Sequence, residues 1–195
     1  MGRFFINLIC ILLFAGMFQS CFRRYDRITH LSDDELEWIT NRQEGEVWYF
    51  QSQDGRLDTV TIFEVLIHND TNTINWDYFQ HGATEYIAYG DVMFRNISGT
   101  MGDLFVIKEE QDEPILFRAG LFMRGMPARI PLNITTLQID GITLDDIMFF
   151  DERVMAPVNE YNPPVPIMNY AWSKQYGLVQ YTFQDGTVFN RIDLK

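Results

Sequence analysis

Acidic residues and histidines are the side chains of this 195-residue chain that could perform acid–base or metal chemistry. His30, His68 and His81 share no metal-ligand spacing, so we interpret them as solvated loop histidines and expect no metal site. The acidic run at 109–113 has the residue types of a glycoside hydrolase, which needs two carboxylates facing each other across a sugar. Because sequence alone cannot pair carboxylates, we interpret the run as a solvated turn between strands.

Motifs for other reactions are missing. The chain contains no G-x-S-x-G elbow, Walker A loop or dinucleotide-binding glycine pattern. The glycine-rich segment at 98–103 lies between predicted strands, without the following helix that phosphate loops use. We therefore expect no catalytic residue, no cofactor and no enzyme. The alternative that stays open is a glycan hydrolase with an unrecognised pair of carboxylates.

A basic island interrupts the acidic sequence. Between Pro114 and Ile139 there is no acid, but Arg118, Arg124 and Arg129 occur there. Arg118 and Arg124, with Met123, could form a mixed basic and apolar surface for an anionic amphiphile. The other interpretation is that these arginines pair with carboxylates on neighbouring strands while the methionines fill gaps in the core.

The long connection at 69–83 is rich in aromatic residues. It contains Trp76, Tyr78 and Phe79, which we take with Met123 as candidates for the mouth of a ligand cavity. Loops of this length are often functional. Alternatively, these aromatic side chains plug an open end of the sheet.

The first twenty residues read as a targeting segment. Arg3 precedes an apolar run from Phe4 to Met17, which would reach roughly 21 Å as a helix. A hydrocarbon core is about 30 Å thick, so the run is short for a span and suits the apolar region of a signal peptide. The run ends in Phe18-Gln19-Ser20-Cys21.

This ending resembles the signal of exported lipoproteins of the bacteroidete type. The resemblance implies cleavage before Cys21 and a lipid on Cys21, although Phe18 and Gln19 depart from the strict pattern. Two alternatives remain. The run from Phe4 to Phe22 could stay as an uncleaved anchor, in which case the arginines at 23, 24 and 27 would favour a cytoplasmic domain. The segment could also be a secretory signal without lipid.

Charge and cysteine content limit the partners. The net charge of −12 becomes −13 when Arg3 leaves with the signal, so nucleic acid is not an expected partner. Cys10 would also leave, and Cys21 alone cannot form an intramolecular disulfide. Attachment to the membrane must then come from acyl chains on Cys21, since an acidic surface disfavours anionic headgroups.

Orientation and modification are inferred from the same resemblance. Surface display in such lipoproteins is associated with acids directly after the lipidated cysteine, whereas Phe22-Arg23-Arg24-Tyr25-Asp26 has two arginines and one acid. The resemblance therefore implies an outer-membrane lipoprotein facing the periplasm. Asp58-Thr59-Val60 matches a short O-glycosylation site of such bacteria, with Thr59 as the acceptor, and also reads as an ordinary strand.

The mature domain reads as β-rich after one short helix. Ser32 and Glu35 form a capping box, and Asp33 and Asp34 favour the positive end of that helix. Asp-Gly pairs at 54–55, 140–141 and 185–186 predict hairpins with type I′ turns. They join Val47–Ser52 to Leu57–Ile67, Ile134–Ile139 to Ile142–Phe149, and a strand around Val179–Phe183 to Thr187–Leu194. Further strands are predicted at Thr84–Phe94, Leu104–Lys108, Pro114–Phe122 and Ile167–Ser173.

Nine or ten such strands predict a mainly β fold, a single antiparallel sandwich or barrel with one short N-terminal helix. We divide the chain into a signal peptide (1–20), a lipidated N-terminus and tether (21–30), and a β-rich domain (31–195). The ending at 171–181, followed by the last Asp-Gly hairpin, also resembles uncharacterised bacteroidete lipoproteins, whose family brings no assigned activity. We expect a lipid-anchored, non-enzymatic domain that binds a ligand or an envelope partner. An accessory subunit of an outer-membrane complex is the alternative.

Overall fold

The computed structural model describes residues 27–69, 85–97, 99, 101–120, 130–151 and 167–194. The chain divides into two units, one formed by 1–28 and 71–86 and the other by 29–70 and 87–195. In the first unit, β1 (Arg27–Ile28) pairs in parallel with β4 (Glu85–Tyr86), and Arg27 forms an ion pair of 2.5 Å with Glu85.

Within its described residues, the second unit is mainly β and contains one helix, α1 (Asp33–Thr40), as predicted. Its described strands are β2 (Val47–Ser52), β3 (Leu57–His68), β5 (Ala88–Asn96), β6 (Met101–Lys108), β7 (Leu116–Gly120), β8 (Ile130–Pro131), β9 (Ile134–Ile139), β10 (Ile142–Asp151), β11 (Ile167–Ser173), β12 (Gly177–Phe183) and β13 (Val188–Arg191). These eleven strands form one antiparallel sheet in the order β8-β7-β6-β5-β3-β2-β13-β12-β11-β10-β9.

The connection between β8 and β9 explains why the sheet curls into a half-barrel. These two strands lie at opposite edges of the sheet, yet only Leu132 and Asn133 separate them in the chain. Three Cα–Cα steps span at most about 11 Å, so Pro131 and Ile134 must be close. The curl therefore brings the two edges together at one end, and the segment from 130 to 139 bonds first to β7 and then to β10.

Helix α1 begins and packs as its sequence predicts. The Ser32 hydroxyl accepts from the Glu35 N–H, and the Glu35 carboxylate accepts from the Ser32 N–H at 2.9 Å, so the capping box is confirmed. Trp38 and Ile39 are buried, and Trp38 meets Phe117 of β7 edge to face at 4.9 Å. Gly90 allows α1 to lie close to β5, because a Cβ at Gly90 would be only 2.8 Å from the Ile39 side chain.

Aromatic side chains fill the core of the second unit. Trp48, Phe94 and Trp172 form a triangle with ring centroids 5.6 to 6.0 Å apart. Burial alternates along β2, so the side chains of Trp48, Phe50 and Ser52 lie on its inner face. Such rings bury large apolar areas, which stabilises the domain.

The middle Asp-Gly hairpin has the predicted turn. Asp140 and Gly141 both adopt positive φ, 48° and 83°, as a type I′ turn requires. The turn joins Ile139 of β9 directly to its partner Ile142 of β10.

The other two Asp-Gly hairpins are real, but their predicted turn type is wrong. Only the glycine adopts positive φ, 84° at Gly55 and 85° at Gly186. The Phe183 N–H donates to the Thr187 carbonyl and the Gly186 N–H donates to the Phe183 carbonyl, which makes a three-residue loop. This loop is a type I turn followed by a left-handed glycine, which spares the aspartate a positive φ.

Several predicted strands differ in extent from the described ones, since β6 begins at Met101 instead of Leu104 and β13 spans Val188–Arg191 instead of Thr187–Leu194. The predicted strand Thr84–Phe94 is divided, since Glu85–Tyr86 pairs with β1 whereas Ala88–Asn96 belongs to the large sheet. The strand predicted at Pro114–Phe122 spans Leu116–Gly120 within the described part of the chain. Local composition marks where strands occur but not which partner each takes, because pairing depends on residues far away in sequence.

Candidate functional site

Arg118 is the predicted ligand-binding residue that the structure describes, and it is already partnered. Its guanidinium lies 4.4 Å over the Phe105 ring of β6, and one nitrogen is 3.5 Å from an Asp103 carboxylate oxygen. Register explains both contacts, because Arg118 lies directly opposite Phe105 and two register positions from Asp103, on the same face of the sheet. The interpretation that the arginines pair with carboxylates on neighbouring strands therefore holds for Arg118.

Asp91 is the most unusual titratable group beside this pair. It lies on β5 and is only 7% exposed. Among the described residues, its Oδ1 has no hydrogen-bond partner. Burial, with the charges of Asp103 and Glu64, raises the pKa of Asp91 from 3.8 to about 7, although Arg118 opposes the shift.

Sheet register brings these acids together. Asp91 is opposite Phe105 and Met93 is opposite Asp103, so the two aspartates are diagonal neighbours on adjacent strands. Burial also raises the pKa of Asp103, although Arg118 and the Gly120 N–H at 2.9 Å act against it. We call Glu64, Asp91, Asp103 and Arg118 the acidic cluster. It can hold a proton near neutral pH, because burial and the neighbouring acids raise the pKa of Asp91 to about 7.

A row of stacked rings borders the acidic cluster. The rings of His68 and Tyr89 are 4.9 Å apart and those of Tyr89 and Phe105 are 5.4 Å apart, both stacked, and Arg118 covers the far face of Phe105. Because these groups cover each other's faces, the row does not offer a flat platform to a planar ligand. Burial lowers the pKa of His68, which favours its neutral form.

The acidic cluster has the residue types of a hydrolase. A general acid with a pKa near 7 suits catalysis at neutral pH, and a glycosidase needs a second carboxylate across a cleft. Two grooves formed by described residues, one at 130–151 and one at 41–46, are not lined by Asp91 or Asp103. The acidic run at 109–113 forms the exposed turn between β6 and β7, as predicted.

An accessible groove lies instead where β8 and β9 meet. Its volume is about 570 Å³. We call it the edge groove, and its lining combines apolar and polar side chains: Ile130, Pro131, Asn133, Thr135, Thr136, Leu137, Ile147, Met148, Phe149 and Asp151. This mixture of apolar and polar lining, at this size, is typical of small-molecule and peptide sites.

Strand pairing explains why the edge groove opens here. Ile134, the first residue of β9, pairs with Met148, whereas β10 continues to Asp151. The chain before Ile134 lies with β7 instead, so the end of β10 loses its β9 neighbour. Large apolar side chains are exposed around this gap, with Leu132 at 39%, Ile134 at 45% and Phe149 at 39%.

A second buried charged group holds the fold together. Arg42 and Arg191 are both buried, and their guanidiniums lie 6.0 and 5.1 Å from the Trp48 ring centroid. Glu46 accepts hydrogen bonds from Trp48 at 2.6 Å and Arg42 at 3.1 Å, and Asp193 pairs with Arg191 at 2.8 Å. Burial lowers the pKa of Arg42, although Glu46 raises it. Because each cation has an acid beside it, we interpret this group as structural.

Most other predicted site residues lie outside the described residues: Cys21, Trp76, Tyr78, Phe79, Met123 and Arg124. Thr59, the predicted glycosylation acceptor, is half-buried in β3 opposite Tyr49. Sequence reasoning missed Asp91, Asp103 and the edge groove. The signal for Asp91 was an acid inside an otherwise apolar strand, Ala-Tyr-Gly-Asp-Val-Met-Phe.

In the described parts of the chain, no helix is long and apolar enough to cross a membrane, and no group of histidine, cysteine and acidic residues could hold a metal ion. No family model, curated protein or solved structure matches the chain.

Proposed function

We propose that this chain is a lipid-anchored protein of the cell envelope whose β domain binds a ligand or a partner protein without catalysing a reaction. The anchor is the lipid on Cys21, and the protein faces the periplasm from the outer membrane. The observation that carries the binding role is the edge groove with its exposed apolar rim.

The edge groove suits binding better than the acidic cluster does. Leu132, Ile134 and Phe149 expose apolar area that water would leave if a ligand covered it, at about 25 cal/mol per Å². Asp91 is instead covered, so a substrate would first have to displace the groups that bury it. A hydrolase that uses this pair of carboxylates is therefore the weaker candidate.

An accessory subunit of an outer-membrane complex is the second candidate. The same exposed side chains favour it, since contiguous apolar surface also marks protein–protein contacts. The accessory-subunit candidate requires a protein as the occupant, whereas the first candidate also allows a small amphiphilic molecule.

Native mass spectrometry of the chain extracted from its own membrane in mild detergent tests the proposal. We expect a mass that shows cleavage before Cys21 plus acyl chains, together with a bound small molecule or protein. An intact Met1 start would refute the lipid anchor. A lipidated chain without any bound species would refute the binding role.

Two substitutions locate the binding site. Phe149→Asp puts a charge on the rim of the edge groove and should remove the bound species. Leu57→Asp is the matched control, because Leu57 is the most exposed large apolar residue of β3, at 70%, and does not line the groove. Equal loss of the bound species in both variants would show that it binds elsewhere or only through general hydrophobicity.

A further inference from the structure

Strand β9 is an edge strand without the usual protection. Its sequence, Ile-Thr-Thr-Leu-Gln-Ile, has no charge and no proline, and its first three residues are exposed. Within the described ranges, β9 pairs with β10 alone. Natural edge strands are commonly blocked by lysine, proline or a covering segment, since unpaired N–H and C=O groups otherwise recruit another strand.

Hairpin geometry identifies one residue whose backbone faces outward. The two-residue turn closes on Ile139 and Ile142, which form a hydrogen-bonded pair. The next pair, Gln138 and Thr143, is then non-hydrogen-bonded, so the Gln138 N–H and C=O point away from β10. Gln138 thus presents a backbone donor and acceptor to an added strand.

Charge favours a basic partner over a second copy of this chain. The segment from 130 to 151, which contains β8, β9 and β10, has four aspartates and no lysine or arginine. Asp140 and Asp145, on the turn and on β10, are exposed. Two copies joined edge to edge would bring these like charges together, whereas lysine or arginine on the added strand would neutralise them.

We propose that the outer edge of β9 takes up an extended segment of a partner protein, with alternating apolar residues and with lysine or arginine, as an added β-strand. Backbone bonds to β9 supply the pairing, and the apolar side chains on one face enter the edge groove beside Thr135 and Leu137. This inference rests on the proposed binding role and specifies its occupant.

Amide hydrogen exchange on the membrane-extracted complex, compared with the purified chain, tests this pairing. Amides of 134–139 should exchange at least about tenfold more slowly in the complex. Gln138→Pro removes the outward N–H and should abolish both the partner and the protection. Gln138→Thr keeps the N–H and a residue with high strand propensity, so it should retain both. Asp145→Asn should weaken the complex and reduce its sensitivity to salt.

Each other outcome overturns a defined part of the inference. If a bound species persists in Gln138→Pro without protection of β9, strand addition is wrong while the binding role stands. A bound small molecule instead of a protein would also show that strand addition is wrong while the binding role stands. A mass of two identical chains refutes the basic partner, and a chain that carries nothing refutes the binding role itself.

Discussion

Two parts of one sheet differ in which groups they expose. In the covered half, formed by β3, β5, β6 and β7, α1 packs on one face of the sheet, and Asp91 is buried beside stacked rings on the other face. At the open end, formed by β8, β9 and β10, the accessible surface is the uncharged edge of β9 and the apolar rim of the edge groove. The buried carboxyl of Asp91 therefore contributes to the interior, whereas the edge of β9 and the edge groove are available for contact.

The largest expected effect is the difference in stability cost between truncating one phenylalanine in the covered half and one at the open end. Phe117, in the covered half, is fully buried against Trp38, so Phe117→Ala should lower the free energy of unfolding by about 3–5 kcal/mol. Phe149, at the open end, is 39% exposed, and Phe149→Ala should cost about 1 kcal/mol or less. Urea denaturation of both variants measures the difference. Equal costs would show that the open end is packed like the covered half.

The second prediction compares the stability cost of a proline in an interior strand with its cost in the edge strand. Gln51 of β2 has β3 on one side and β13 on the other, so Gln51→Pro must lose a ladder hydrogen bond and should cost about 2–3 kcal/mol. Gln138→Pro at the edge should cost about 1 kcal/mol or less, since its N–H faces away from β10.

Thermal or urea unfolding of the two proline variants checks this comparison, with Gln51→Thr and Gln138→Thr as controls that keep the N–H. A cost at Gln138→Pro that matches Gln51→Pro would mean that the outer edge of β9 is already paired within the chain. That result would also contradict the proposed strand addition.

Features encoded within a few residues were predictable from the sequence, whereas features that depend on distant partners were not. Ser32 and Glu35 are three residues apart, and their capping box is confirmed. The strands at Val47–Ser52 and Ile167–Ser173 have the predicted bounds, because alternation or β-branched composition marks them locally. The mainly β fold follows from such strands.

The acidic cluster and the edge groove could not be predicted without knowing the order of the strands in the sheet. Asp91 and Asp103 become neighbours only through the pairing of β5 with β6, and no local pattern states that register. The edge groove exists because consecutive strands β8 and β9 lie at opposite edges of the sheet, which a sequence pattern cannot reveal. Arg118 was found because three arginines without acids stand out in an acidic chain, yet its partner Asp103 lies in the glycine-rich segment that we placed between predicted strands.

The smallest expected effect concerns the buried acid of the covered half. Folded Asp91 holds its proton up to about pH 7, whereas in the unfolded chain an aspartate releases it near pH 4. The folded state therefore binds more protons in this interval, and its stability falls as the pH rises through it. Between about pH 5 and about pH 8 the free energy of unfolding should fall by about 2 kcal/mol, since one pKa unit corresponds to about 1.4 kcal/mol.

Asp91→Asn removes this titratable group, so the free energy of unfolding should fall less as the pH rises. The variant should therefore be more stable than the unsubstituted protein at about pH 8. Urea denaturation at both pH values measures it, with Asp112→Asn in the exposed turn after β6 as the control that should keep the decline. An unchanged pH dependence in Asp91→Asn would mean that the Asp91 carboxylate is ionised and solvated. The acidic cluster would then be open to ligands, and the distinction between a closed half and an open end would no longer hold.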